Sequence, residues 1–274
     1  MPYPGGKARA HYVVDVLNHP VFDDFVYIEP FVGYASILHK IERKKVTVAS
    51  DTNANVINVF KYLQCHELYP IITKPIFDNA RQKYLGNLPI SPTLAAFSSL
   101  STFNGIHWRH ATYAGKHINK DGKIFDYAQA RHNYYDKLIQ NKTFRTTSFT
   151  TCSYESYDLD QWRKLGPILL YCDIPYLTSR NKEFYGMEED FDYNRFWETI
   201  REWSSKDNVV VFISELQAPD DFVRVAAKQI TVTMTRKKGI APSMIDSVFT
   251  YQPSYQRLPD RFREDFPALG DLAM

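Results

Sequence analysis

The sequence predicts an α/β fold in which a mostly parallel sheet is interrupted by a helical insert at about residues 65–145. Three observations carry this. Apolar runs of strand length stand at 25–30, 46–50, 168–172 and 209–214. Helical patterns at 54–63 and 191–203 alternate with them, as βαβ units require. Between them the rhythm breaks at Pro70, Pro75, Pro89 and Pro92.

The 274 residues, 44% of them hydrophobic, suffice for one large core. No apolar stretch is long enough to span a bilayer, and residues 1–20 lack a secretory-type run, so a cytoplasmic protein is expected. Cys65, Cys152 and Cys172 are too scattered for a disulfide framework or a structural zinc site. His107 and His110 have no accompanying ligand cluster, so no metal is expected.

The net charge of +2 names no partner, but its distribution is uneven: residues 101–150 hold eight Lys/Arg against three Asp, with nine interleaved Phe, Tyr and Trp. Such a mixture suits phosphate contact with base stacking, or forms a solvated basic face over core aromatics.

Taken in order, Tyr3-Pro4-Gly5-Gly6-Lys7 is a turn that permits close ligand approach, with Lys7 in reach of an anionic group or simply solvated. Ala8–Leu17 has helical spacing. Phe25–Pro30 reads as a strand, followed by the single-glycine turn Phe31–Ser36 and an amphipathic helix through Ile37, Leu38 and Ile41. One glycine is too few for a dinucleotide fingerprint.

Val46–Ser50 is a second strand. It ends at Asp51, about twenty residues beyond the turn, where an acid holds ribose hydroxyls or merely ends a strand. Asn53 opens the next helix. Helical pieces are expected at Ile76–Tyr84, Thr93–Phe103 and Phe125–Ile139, with turns at Gly115, Asn119 and Asp121-Gly122. Phe144–Phe149 should lead back to the sheet.

The run Ile168–Tyr171 then stops at Asp173-Ile174-Pro175-Tyr176. Ligands bind beyond the carboxyl ends of strands in open α/β sheets, and Pro175 forces the chain out of the ladder there. A carboxylate, a backbone carbonyl, a rigid proline and a flat ring form a receptacle for a planar amino-bearing base. An ordinary strand-end turn is the plainer alternative. Beyond a buried strand at Val209–Ser214, Pro219-Asp220-Asp221 can start a short helix. Ile230–Thr235 and Asp246–Tyr251 read as paired strands, joined through the basic loop at Arg236-Lys237-Lys238, a phosphate contact or a solvated turn.

These motifs together resemble the Dam-like, D12-class DNA adenine-N6 methyltransferases over about residues 2–251. Tyr3–Lys7 looks like the family's N-terminal cofactor motif, and Glu29-Pro30-Phe31-Val32-Gly33-Tyr34-Ala35-Ser36 is similar to its E-P-F-x-G-x-G-S turn. Asp51-Thr52-Asn53 looks like its D-x-N motif, and Asp173-Ile174-Pro175-Tyr176 like its D-P-P-Y. Phe103-Asn104-Gly105-Ile106 resembles its Y-N-G-L base-contacting turn.

The resemblance implies a Rossmann-like S-adenosylmethionine-dependent domain (1–64 and 146–274) with a target-recognition insert (65–145). It implies cofactor contacts at Tyr3, Gly6, Lys7, Glu29, Phe31, Gly33, Ser36, Asp51, Asn53 and Asp173, and catalytic roles for Asp173, Ile174, Pro175 and Tyr176. Duplex DNA would meet Phe103, Asn104, Ile106, Trp108, Arg109 and Lys237. The implied activity is site-specific DNA methylation, as in restriction–modification, in a bacterial or virus-encoded protein whose oligomeric state the sequence leaves open, a monomer being compatible with it.

Two positions depart from the pattern: Ala35 replaces the second glycine of the turn, and Ile174 replaces the first proline of D-P-P-Y. The rival readings are a catalytically silent DNA-binding protein of the same fold and a methyltransferase acting on cytosine N4 or RNA.

Overall fold

The computed structural model describes residues 10–102, 112–118, 122–175, 191–231 and 243–270. Its centre is a seven-stranded sheet. β1 (Val26–Glu29), β2 (Val46–Asp51), β5 (Ser148–Thr151), β6 (Ile168–Asp173) and β7 (Val209–Glu215) are parallel, while β9 (Ser243–Tyr251) runs antiparallel to both β7 and β8 (Phe222–Thr231). A two-stranded hairpin, β3 (Lys116–Ile118) and β4 (Ile124–Asp126), stands apart from it.

The spatial order is β5-β2-β1-β6-β7-β9-β8. From β1 the chain steps outward to β2 and β5, then returns to β6 on the opposite side of β1 and proceeds to β7. The crevice between the carboxyl ends of β1 and β6 is therefore a topological switch point, the place where such sheets bind ligands.

The central strands are apolar up to their carboxyl ends because both faces of the sheet are covered. On one face Tyr27, Ala49, Leu169, Tyr171 and Phe212 pack with α1 (His11–Leu17), α2 (Ala54–Cys65), α4 (Pro92–Ser99) and α5 (Tyr127–Gln140). On the other face Ile28, Leu170, Cys172 and Ile213 pack with α7 (Leu159–Arg163) and α8 (Tyr193–Ser205). α8 buries Phe196, Ile200 and Trp203, the face its spacing predicts, and Asp192 caps it by accepting from the Arg195 N–H at 3.0 Å. Among the described residues between 65 and 145 the longest elements are the helices α3 (Lys74–Leu85), α4 and α5, and Phe97, Tyr135 and Leu138 share the first core.

Four expectations change. The helix through Ile37 and Ile41 is only a 3₁₀ turn, Leu38–Lys40. Side chains from elsewhere take the carbonyls a helix would use: Asn141 Nδ2 donates to His39 O (2.7 Å), Asn18 Nδ2 to Lys40 O (2.8 Å) and Thr143 Oγ1 to Ile41 O (2.7 Å). The strand expected from Phe144 starts at Ser148, because Asn141 accepts from the Phe144 N–H at 2.8 Å and caps α6 (Lys142–Thr146). Pro219 opens a turn, not a helix: the Phe222 N–H closes it onto Pro219 O at 3.0 Å, and Phe222 enters the core against Trp197 as β8 begins. The helix expected from Phe125 begins at Tyr127, capped by Asp126, after a hairpin signalled only by Asp121-Gly122.

Candidate active site

Strand register places a row of carboxylates along the carboxyl edge of one sheet face. Glu29 pairs with Ala49 of β2, and Ile28 with Leu170, so alternation puts Glu29, Asp51, Tyr171 and Asp173 on the face that carries Tyr27 and Ala49. Asp173 is level with Ser214 of β7, and Ser214 with Val248 of β9, which brings Asp246 to the same side. Asp51 and Asp173 lie one pleat beyond Glu29, so Glu29 is the floor between them and Asp246 extends the row. Among the described residues no three His, Cys, Asp or Glu side chains come together to hold a metal ion.

Asp51 shapes the turn. Its Oδ2 accepts from the Gly33 N–H at 2.9 Å and its Oδ1 from the Asn53 N–H at 2.8 Å, while the Val32 N–H donates to Ser50 O at 2.9 Å. The turn after β1 is thereby fastened to the end of β2. Burial pushes the Asp51 carboxyl up, and the two N–H donors oppose that shift. Each oxygen keeps a further lone pair for another donor. Asn53 accepts from the Asn55 N–H at 3.1 Å and caps α2.

Gly33 has φ 45° and Ala35 φ 56°, both left-handed. Ala35 therefore adopts the conformation that the resembled pattern assigns to glycine, at a cost of about 1–2 kcal/mol. Its N–H bonds to Val32 O at 2.7 Å and its methyl is fully buried. The first departure in the sequence thus leaves the turn intact. Phe31 packs over the second core, its ring centroid 5.4 Å from that of Tyr154.

Glu29 is buried beneath this turn and its Oε2 accepts from Tyr27 OH at 2.7 Å. Burial holds its carboxyl well above the usual range; the tyrosine opposes this and the charge of Asp173 adds to it. A carboxyl whose folded pKa exceeds its unfolded value binds protons more tightly when folded. Its contribution is fully present below the ordinary value of about 4.3 and is lost as pH rises above it. Glu29→Gln, which keeps an acceptor for Tyr27, is expected to flatten the loss of ligand-free stability as pH rises above about 4.3. Thermal unfolding across that range checks it, and an unchanged slope would count against a protonated floor.

Asp173 ends β6 half-exposed, and Ile174 behind it is buried in the second core. The isoleucine side chain therefore packs inward, and this second departure keeps a backbone carbonyl beside Asp173. Tyr193 of α8 donates to Pro175 O at 2.6 Å and fixes the chain as it leaves the sheet. Tyr193→Phe is expected to lower the turnover number about three- to tenfold, the effect of losing one hydrogen bond that fixes the chain beside Asp173. Steady-state methyl-transfer rates read it directly.

Sequence reasoning missed two pairs here. Tyr12 of α1 donates to Asp246 at 2.5 Å, and Tyr171 shares a 2.8 Å hydrogen bond with Ser214 beneath Asp173. Burial, then the Asp246 carboxylate, pushes the Tyr12 phenol up, with Asp173 contributing. Only the strand register brings these residues together.

Tyr3, Gly6, Lys7, Phe103, Asn104, Ile106, Trp108, Arg109, Tyr176 and Lys237 lie outside the described residues. The β3–β4 hairpin exposes Lys116, Ile118, Lys123 and Ile124, with Lys123 Nζ 5.3 Å from the centre of the Phe125 ring.

Residues 3–88 match the family model described as D12 class N6 adenine-specific DNA methyltransferase. That stretch contains the N-terminal motif, the Glu29–Ser36 turn and Asp51–Asn53, and the match supports an S-adenosylmethionine-dependent methyltransferase. Among solved structures the chain is similar to the rRNA methyltransferase aviRa from Streptomyces viridochromogenes, at 11% identity over 94% of this chain and 89% of that one with a TM-score of 0.44. It is also similar to an rRNA methylase from Streptococcus thermophilus, at 12% identity over 89% of this chain and 97% of that one with a TM-score of 0.37. A precorrin-6y C5,15-methyltransferase from Geobacter metallireducens GS-15 aligns at 10% identity over 88% of this chain and 85% of that one, with a TM-score of 0.34. No curated protein sequence matches the chain.

Proposed function

We propose that this protein methylates N6 of adenine in a specific short DNA duplex sequence, using S-adenosylmethionine. The observation that carries the reading is the carboxylate row, with Asp173 beside the Asp51-clamped turn at the switch point between β1 and β6. The donor set fits this cofactor. Asp51 suits ribose hydroxyls, the backbone around Phe31 and Gly33 suits a methionine moiety, and the acidic floor and rim suit a ligand that carries an ammonium and a sulfonium. When bound, the cofactor supplies an electrophilic methyl group.

The protein's own contribution is positioning. An adenine in a duplex hides N6 in its base pair and must be flipped out to react. Asp173 and the Ile174 carbonyl accept hydrogen bonds from the N6 amino group, which localise a lone pair otherwise delocalised into the ring. Tyr176 stacks on the extruded base. Low-dielectric surroundings strengthen these contacts, so orientation and electrostatics lower the barrier.

The segment 65–145 serves as the target-recognition part, with Phe103–Arg109 contacting bases and phosphates and Lys237 adding a phosphate contact. The exposed cations and apolar side chains of the β3–β4 hairpin extend that surface, as a groove reader that needs both charge and contact area. No described helix is long and apolar enough to cross a membrane, and we place the protein in the cytoplasm of a bacterial cell, encoded there or by a virus.

Labelled methyl transfer measured side by side on unmethylated duplex DNA and on RNA of the same sequence tests the substrate class. Label in the DNA supports the reading. Label in the RNA alone would move the activity to the RNA alternative, and label in neither, with cofactor bound, to the silent binding protein.

A further inference from the structure

The segment after β1 lacks the helix that would ordinarily follow such a turn, so its carbonyls need other partners. α5, from the inserted region, supplies one at the critical place. Tyr134 donates its hydroxyl to the Tyr34 carbonyl, inside the turn between left-handed Gly33 and left-handed Ala35. The Tyr134 ring meets His39 edge-on at 5.8 Å between centroids. His39 in turn hydrogen-bonds Ala35 O through Nδ1 at 2.7 Å. Further along, Asn141 and Thr143 take the carbonyls of His39 and Ile41. The sequence separation between Tyr134 and Tyr34 is 100 residues, so no local preference produces this contact.

From this juxtaposition we infer that Tyr134 is a positioning residue for the methyl donor: it holds the Phe31–Ser36 turn in its binding conformation from within the inserted region. The inference rests on the proposed reading of that turn as the cofactor site. Tyr134 touches no reacting atom. It fixes the direction of the Tyr34 carbonyl and, through that peptide, the two left-handed residues whose N–H groups bond Asp51 and Val32. Thr143 differs. It braces the same linker at Ile41, beyond the turn, and its loss should affect stability without reaching the ligand.

Calorimetric titration of the full chain with S-adenosylhomocysteine separates the two roles. Tyr134→Phe is expected to raise the dissociation constant about three- to tenfold, the worth of one hydrogen bond. Thr143→Ala is expected to lower the melting temperature and leave the dissociation constant within about twofold. Hydrogen exchange on the same proteins reads the turn directly: the Ala35 amide should exchange faster in Tyr134→Phe and unchanged in Thr143→Ala.

Wild-type affinity in Tyr134→Phe with unaltered Ala35 exchange would overturn the inference and leave the proposed function standing. So would equal loss of affinity in both variants, since Tyr134 would then brace the linker no differently from Thr143. Failure of the unaltered protein to bind S-adenosylhomocysteine would overturn the proposed function and the inference with it.

Discussion

Asp173→Ala is expected to reduce methyl transfer at least about a hundredfold, because it removes a charge-assisted hydrogen bond present when the methyl group moves, worth about 3 kcal/mol or more. The fold should persist. Asp173 is half-exposed at the end of β6, and the strand is held by the buried run Ile168–Cys172 between β1 and β7. Its negative charge is one of the influences that raise the Glu29, Tyr12 and Tyr171 pKa values after burial. The melting temperature should change little, because the buried run rather than this side chain holds the strand. Asp173→Asn keeps one acceptor and should retain a little activity. Parallel measurement of turnover and thermal unfolding gives both results. Wild-type turnover in Asp173→Ala would remove Asp173 from the chemistry.

Asp51→Ala should act differently, on binding and stability together. The carboxylate accepts two backbone N–H bonds that tie the turn after β1 to the start of α2. Bonds to a charged acceptor contribute about 1.5–3 kcal/mol each, and the truncated site leaves both donors without it. Part of the loss is returned because the carboxylate no longer has to be desolvated, so about 2–4 kcal/mol of destabilisation is expected. That corresponds to roughly 4–16 °C in melting temperature for a chain of this size. Affinity for S-adenosylhomocysteine should fall at least about a hundredfold, from loss of the ribose contact and of the turn's shape. Unchanged affinity with lowered stability would reduce Asp51 to a structural clamp.

Elements whose signal is local were legible in the sequence. β6 and β7 appear as uninterrupted apolar runs because the sheet is covered on both faces, and α8 appears through Phe196, Ile200 and Trp203 because only one of its faces is. The acids that end β2 and β6 were legible for the same reason, since a charge stops a buried run. The match over residues 3–88 bears out the resemblance for the motifs it contains.

Long-range hydrogen bonds defeated local reading elsewhere. The helix expected through Ile37–Ile41 has the right spacing, but Asn18, Asn141 and Thr143 hold its carbonyls in another conformation. The Tyr12–Asp246 pair, 234 residues apart in sequence, exists only because β9 lies beside β7. Pro219 gave a genuine helix-start signal, overridden when Phe222 was drawn into the core against Trp197. The β3–β4 hairpin is signalled only by Asp121-Gly122, because its two strands of three residues each are too short to stand out as periodic runs.

The most direct measurement is nucleoside mass analysis of unmethylated genomic DNA after incubation with the protein and labelled S-adenosylmethionine, with Asp173→Ala alongside. The expected result is labelled N6-methyladenine at a recurring short sequence, absent with the variant. Labelled N4-methylcytosine, or N6-methyladenine formed equally by Asp173→Ala, would contradict the proposed reaction and its catalytic carboxylate.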